Sequence, residues 1–281
     1  MIDDRLLPLD ELGEEFQDRG LFFGDGVYEV VRSYDGRIFA LDEHLARFSA
    51  SLKAIEITKV DIEQIRSRIM KAFEAANITN AHIYFHITRG SGLRSHACSD
   101  ELKPNFLLII KELDDDTKAK TQGISVITCP DLRWKRCDIK SLNLLPNVLA
   151  RCQAAKKGCD EAIFVNDEGF ITEGAASAFF AIHEKKLQTS PLSANILPSI
   201  TRKFVIEAAR NIGLEIVDKS LTPQEASSCD ELFIAVTTKD IVPVVKFNDK
   251  IIADGKPGKY TKALEKEFQK FTKIVKTNNN T

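Results

Sequence analysis

GDGVYEVVRSYDGRIFAL, residues 24–41, carries the first strong structural signal in the chain. Gly24-Asp25-Gly26 reads as a turn. Val27 to Tyr34 is rich in β-branched and aromatic residues and reads as a strand, Asp35-Gly36 as a tight hairpin turn, and Arg37 to Leu41 as the returning strand. Alternate residues of a strand face the same side. Tyr28, Val30 and Arg32 therefore line one face with a phenol, a small apolar group and a guanidinium. Alone, this pattern fits an ordinary half-exposed strand.

Further along, LDEHLARFSASLKAI places Leu41, Leu45, Phe48, Leu52 and Ile55 at helical spacing, with Asp42 as the expected N-cap. A second amphipathic helix is expected from Val60 to Ala76, with Ile62, Ile65, Ile69 and Phe73 on one face. Strands are expected at His82–Thr88 and Asn105–Lys111. The loop between them contains GSGLRSHACSDELKP, long for a hairpin and polar, which marks it as a functional loop. Leu113 to Gly123, LDDDTKAKTQG, is charged, lacks an apolar period and reads as a linker between two domains. Beyond it, strands are expected at Ile124–Thr128, Glu161–Val165, Phe179–Ile182, Leu232–Val236 and Val242–Phe247. Helices are expected at Leu145–Lys157, at Thr201–Asn211 with Thr201 as cap and Gly213 as terminator, and at Tyr260–Ile274. The polar tail KTNNNT is expected to fray.

The bulk composition narrows the function classes. The chain has 281 residues, 43% of them hydrophobic, enough for one large or two modest cores. Its 39 basic and 41 acidic residues give a formal net charge of -2, without the basic excess of a nucleic-acid or membrane-surface binder. No apolar run approaches the roughly 18 residues of a membrane span. The acidic start MIDDRLLPLDELGEE is unlike a signal peptide, and the expected location is cytoplasmic. Cys98, Cys129, Cys137, Cys152, Cys159 and Cys229 form no CxxC pair or metal-ligand cluster and read as free thiols. No metal site is expected.

Several residues could carry chemistry, and each has a plainer reading. Arg94 and His96 lie two apart on the polar loop. An arginine fork suits a carboxylate, but a solvated loop charge is the default. Lys140, in RCDIKSLNLLPN, has apolar neighbours Ile139, Leu142 and Leu144. Such a setting lowers an amine's pKa and frees a nucleophile, yet the fragment alone reads as a surface lysine at a strand end. Glu173 follows Thr172 at the end of a strand and could face a pocket; a carboxylate there would keep a pyridine nitrogen protonated. Ile200-Thr201 opens a helix whose N-terminus is a ready phosphate site, which Arg47, Thr237 and Thr238 could complete. No GxGxxG, GxxxxGK[ST], HExxH or GxSxG motif is present, so pattern alone stops at an α/β enzyme with scattered polar groups.

The order of segments goes further. DRGLFFGDGVYEVVRSYDGRIF, EHLARF, HIYFHITRGSGLRSH, RWKRCDIKSLNLLPNVLARCQAAKKGCDEAIFV, ITEGAASAFF, ILPSITRKFVIEAA and DELFIAVTTKDIVPV run through nearly the whole chain. In this series the sequence resembles the fold-type IV pyridoxal-phosphate enzymes, and among them the D-amino-acid transaminases. The resemblance implies a two-domain α/β fold: a small N-terminal domain over 1–116, a linker at 117–120, and a larger C-terminal pseudo-barrel domain over 121–281. It implies pyridoxal 5′-phosphate held covalently by Lys140, which also moves the proton between substrate Cα and cofactor C4′. Glu173 would pair with the ring nitrogen. Arg47, Ile200, Thr201 and Thr237 would take the phosphate, and Leu197 would pack near the ring. Tyr28, Arg94 and His96 would hold the substrate α-carboxylate, with Val30 and Arg32 on the same strand face as Tyr28. Glu161 is a candidate partner of the lysine. The implied reaction is ping-pong transamination between a D-amino acid and a 2-oxo acid, in a homodimer with the site near the interface. A branched-chain L-amino-acid aminotransferase, a 4-amino-4-deoxychorismate lyase and a cofactor-binding protein without turnover are the alternatives.

Overall fold

The computed structural model describes residues 1–114 and 116–273. The elements run in the order α1 (Arg19–Phe23), β1 (Gly26–Tyr34), β2 (Arg37–Ile38), α2 (Leu41–Ala54), α3 (Ile62–Ala76), β3 (Ala81–Thr88), β4 (Asn105–Glu112) and α4 (Thr117–Gln122). They continue with β5 (Ile124–Pro130), α5 (Leu145–Lys156), β6 (Glu161–Val165), β7 (Ile171–Gly174), β8 (Ala178–His183), β9 (Lys186–Thr189), α6 (Ile200–Asn211), β10 (Glu215–Asp218) and α7 (Pro223–Ala226). β11 (Glu231–Val236), β12 (Asp240–Phe247), β13 (Lys250–Ile251) and α8 (Lys259–Thr272) complete the chain.

Two sheets organise the molecule. The N-terminal one has the order β2-β1-β3-β4 and is antiparallel throughout. Val27 and Val31 of β1 and Ile83, Phe85 and Ile87 of β3 point to one face, where Leu45, Phe48 and Leu52 of α2 and Ile65 and Ile69 of α3 close a core. The i, i+3, i+4, i+7 spacing of α2 is what presents that stripe. The C-terminal sheet has nine strands, β10-β9-β8-β11-β12-β5-β6-β7 with β13 beside β12. Parallel pairs β9–β10, β12–β5 and β5–β6 are mixed with antiparallel ones. Only residues 175–177 separate β7 from β8, and the Gly174 amide donates to the Ser177 carbonyl at 2.7 Å, so the sheet curls back on itself. Helices α6 and α8 cover one side and α5 another.

The predicted elements are recovered with shifts at their ends. Leu41 belongs to α2 rather than to the returning strand, because β2 stops at Ile38. Asp42 lies in the first turn of α2, and the N-cap position falls on Ala40 in the left-handed region, φ 53°. Ser199, not Thr201, caps α6, its hydroxyl accepting from the Arg202 amide. Within the presumed linker, Thr117–Gln122 is helical: Asp116 caps it and Ala119 is buried in the core of the large sheet. β9 and β10 are short strands that periodicity did not disclose. The predicted C-terminal helix matches α8; Ile274 and the polar tail lie outside the described residues. All six cysteines are free thiols.

The segment around Lys140 follows α4 and β5 in the chain but packs on the N-terminal sheet. Ile139 enters the core of that sheet. Tyr28 donates its amide to the Lys140 carbonyl at 2.9 Å, Leu142 donates to Gly26 at 3.0 Å, and Val27 bridges Ser141. This short antiparallel pairing with the start of β1 fixes where Lys140 lies.

Candidate active site

A cavity of about 490 Å³ opens between the two sheets, with Lys140, Tyr28, Arg47, Glu173, Leu197 and Thr237 on its wall. Lys140 is half-buried. Its Nζ lies 3.3 Å from the Tyr28 hydroxyl and 4.4 Å from the centre of that ring. The pairing described above explains this proximity: the backbones of residues 28 and 140 are hydrogen-bonded, so their side chains emerge together.

Glu173, the penultimate residue of β7, is 5% exposed. Its carboxylate accepts from Arg133 Nη1 at 2.5 Å and from the Leu197 amide at 3.1 and 3.3 Å. Burial pushes its pKa up, while the Arg133 charge and hydrogen bond, the Leu197 amide and the Lys140 charge pull the other way. Arg133 is itself held by both oxygens of Asp131, at 2.7 and 2.8 Å, and stacks 4.6 Å from the centre of Phe164. Thr172 donates to the same Asp131 at 2.9 Å.

Arg47 is held from behind. Its Nε and Nη2 donate to the two oxygens of Glu29 at 2.7 and 2.8 Å, and Nη1 donates to the Pro198 carbonyl at 3.0 Å. Glu29 is fully buried and also contacts His44 Nδ1 at 2.8 Å. Burial alone would raise its pKa; the Arg47 charge and hydrogen bonds, with His44, outweigh burial and bring it from 4.5 to about 2. Burial lowers the His44 pKa against the pull of that carboxylate. A carboxylate held this low stabilises the folded chain above its unfolded pKa of 4.5, and that contribution is lost as pH falls through about 2. The shift corresponds to on the order of 3 kcal/mol. Glu29→Gln should therefore lower the unfolding free energy near neutral pH by about that amount. It should also weaken retention of a phosphorylated ligand by releasing Arg47. Urea denaturation and ligand titration check both effects, and an unchanged urea midpoint would contradict this account of Glu29.

Ser199, Leu197, Thr237 and Thr238 bring the start of α6 and the β11–β12 turn to the cavity beside Arg47. Ile200 and Thr201 are the first two residues of α6 and are buried. Their amides belong to the helix-end donors that have no partner within the helix. A guanidinium near such amides, a buried carboxylate paired with arginine, and an amine on the same cavity wall form a set of groups that fits a phosphorylated pyridine aldehyde.

The other candidates are placed differently. Tyr28 and Val30 line the cavity, but Arg32 does not. Arg32 is 4% exposed, donates to Asp240 Oδ1 at 3.0 Å and to the Thr238 carbonyl at 3.3 Å, and lies over the Tyr34 ring. The buried Asp240 carboxylate, which also accepts from Lys120 at 2.9 Å, draws it away from the substrate face and under the Thr237–Thr238 turn. Glu161 accepts from the Ala162 amide at 2.9 Å, from Ser177 at 3.2 Å and from Arg151 at 3.2 Å. Arg94 and His96 are exposed and do not line the Lys140 cavity. His96 borders a neighbouring cavity of about 440 Å³ that shares Trp134, Ser141 and Asn143 with the first.

Glu29, Asp131 and Arg133 escaped the sequence reading. For Glu29 a signal was present: it interrupts the inward-facing series Val27, Val31, where a charge needs a buried partner. For Asp131 and Arg133 no periodic signal exists, because they lie at and beyond the end of β5 in irregular chain.

Comparison with known proteins agrees with this geometry. The family model described as amino-transferase class IV matches residues 26–247. The D-alanine aminotransferase of Bacillus licheniformis is 35% identical over 270 residues, covering 96% of this chain and 95% of that protein. That of Staphylococcus haemolyticus is 35% identical over 272 residues, covering 96% of each. Among solved structures, the branched-chain amino acid aminotransferase of Escherichia coli superposes with a TM-score of 0.86 at 22% identity, over 98% of this chain and 95% of that one. With a lysine, a buried glutamate and an arginine-bearing corner around one cavity, and with the family match and the relatives covering most of the chain, the chain belongs to the class IV aminotransferases of fold type IV.

Proposed function

We propose that this chain transfers the amino group of a D-amino acid, of the D-alanine or D-glutamate kind, to a 2-oxo acid. The observation that carries the reading is Lys140 Nζ at the cavity wall, 3.3 Å from the Tyr28 hydroxyl, in the cavity that the buried Glu173 also lines. Class IV aminotransferases work with pyridoxal 5′-phosphate, which when bound supplies an electron sink for the bonds at the substrate Cα. Lys140 would hold it covalently, and its amine, once free, would take the Cα proton. The Tyr28 hydroxyl accepts a hydrogen bond from Nζ and steers that amine. The Glu173 carboxylate, fixed by Arg133 and Leu197, keeps a ring nitrogen protonated. Arg47, the first amides of α6 and Thr237 take the phosphate. Leu197 and Val30 line the same cavity, where Leu197 would pack at the ring and Val30 would border the substrate.

Arg94 and His96 take the α-carboxylate. The D-alanine aminotransferase relatives favour this reading over that of a branched-chain L-amino-acid enzyme, a deoxychorismate lyase or a binding protein without turnover. The protein is further proposed to act in the cytoplasm as a homodimer, with domains at 1–116 and 121–281. Exposed Leu107 and Ile109 on β4 and Leu145, Val148 and Leu149 on α5 support an apolar subunit contact. In such a pair the exposed 92–101 loop meets a second copy and its Arg94 and His96 become available to substrate. Among the described residues no helix is long and apolar enough to cross a membrane.

Half-reactions test the substrate class. D-alanine and D-glutamate should bleach the visible band of the loaded protein, whereas L-leucine should leave it. A response to L-leucine alone would assign the branched-chain activity instead.

A further inference from the structure

The loop that carries Arg94 and His96 is anchored to α1 by specific contacts. Asp18, the N-cap of α1, accepts from Thr88 Oγ1 at 2.8 Å and from Asn105 Nδ2 at 2.6 Å, the two residues where β3 ends and β4 begins. The Arg19 amide donates to the Gly90 carbonyl at 3.0 Å, and Gly92 donates to Gln17 at 3.1 Å. Gly90 has φ 116°, and a Cβ there would meet the Lys103 carbonyl at 2.1 Å, so the two limbs of the loop approach as only glycine allows.

The Arg19 side chain reaches farther along the loop. It is 6% exposed. Its Nη1 donates to the Ser95 carbonyl at 2.6 Å and Nη2 to the His96 carbonyl at 3.1 Å. Asp25 Oδ2 accepts its Nε at 2.8 Å, and Arg89 braces the same carboxylate at 2.9 and 3.0 Å while donating to the Ile55 carbonyl at 2.6 Å. Phe23, the last residue of α1, completes the platform: the His96 ring is 5.3 Å away and the Arg94 guanidinium 5.1 Å from its centre. An exposed arginine and histidine have many rotamers to lose. Here both rest on one ring, and the backbone between them is held by one buried guanidinium.

We infer that Arg19 and Phe23 are positioning residues for substrate recognition: they fix the Arg94–His96 pair in the geometry that takes an α-carboxylate. The inference rests on the proposed role of that pair. Arg19 and Phe23 touch neither Lys140 nor the phosphate corner, so they act on substrate affinity and leave cofactor retention alone.

The test is single-turnover kinetics of the loaded full-length enzyme with D-alanine, giving an apparent Kd and a limiting rate. Phe23→Leu and Arg19→Met are each expected to raise the apparent Kd by about tenfold, the loss of one charge-assisted contact. The limiting rate and the position of the visible band should hold. Phe23→Tyr and Arg19→Lys should restore part of the affinity. Should Arg19→Met fail to fold, the half-buried Phe23 variants carry the test. In an Arg94→Ala, His96→Ala background, Phe23→Leu should add no further loss. If Arg94→Ala and His96→Ala leave the Kd unchanged, the carboxylate reading of the pair fails and the inference with it. If they raise the Kd but Phe23→Leu does not, or if its effect adds fully to theirs, the inference fails alone.

Discussion

Lys140→Ala is expected to lose the visible band of the loaded protein and to reduce transamination by about four orders of magnitude, the upper end of what a positioned proton-transfer group contributes. On the proposed reading two functions are lost at once: the covalent hold on the cofactor and the amine that takes the Cα proton. Among the described residues no other lysine lines the cavity. Arg47 and Arg133, also on the cavity wall, are both committed, one to Glu29 and the other to Asp131 and Glu173. A guanidinium offers donors only and is no base for a Cα proton. Folding should survive, because the Ile139–Leu142 pairing with β1 runs through backbone groups and the Ile139 side chain. Absorbance and coupled-assay turnover of the purified variant check this, and retention of band and turnover together would contradict it.

Arg133→Leu has the largest expected effect on stability. The guanidinium neutralises the buried Glu173 and the half-buried Asp131, and removing one partner of a buried pair costs about 3–5 kcal/mol. The pH dependence follows from the directions of the shifts. In the intact protein, burial raises the Glu173 pKa against the pull of Arg133, whereas for Asp131 the hydrogen bonds and charge of Arg133 outweigh burial and lower it. Without Arg133, burial is largely unopposed at both sites, and both carboxyls bind protons more readily folded than unfolded. Groups with raised folded pKa values stabilise below their unfolded pKa and lose that stabilisation as pH rises through the folded value. The deficit of the variant should thus be smaller at about pH 5 than at about pH 8. Urea unfolding at the two pH values measures it; a deficit that does not change with pH would mean that Glu173 and Asp131 do not depend on Arg133 for their charge. Arg133→Lys should keep part of the stability, since it keeps the charge and loses the fork.

How far the site could be read from the chain depended on the type of element. β1 was legible because a strand in a half-buried sheet alternates, and Tyr28 and Val30 fell on the cavity side as that alternation requires. α2 was legible for the same kind of reason, and with it came Arg47, which flanks the stripe of Leu45, Phe48 and Leu52 and meets Glu29 on the inward face of β1. Arg32 shows the limit: alternation gives a face, but the Asp240 carboxylate, more than 200 positions away, decides where the guanidinium ends. Lys140 lies in irregular chain, where periodicity is silent; the serial resemblance singled it out, and its pairing with β1 explains its position. β9 and β10 run for only four residues each, too short for a pattern to register. Arg94 and His96 were noticed as a pair, yet the platform beneath them, Arg19 and Phe23, sits some seventy residues earlier, and nothing local connects the two.

The most direct measurement is chemical mapping of the cofactor lysine. The loaded protein is reduced with borohydride, digested, and its peptides are identified by mass spectrometry. The pyridoxyl group should be found on the peptide containing Lys140, and on that one alone at stoichiometric yield. Attachment to another lysine, or a stoichiometrically loaded protein with an unmodified Lys140 peptide, would contradict the assignment on which the proposed reaction rests.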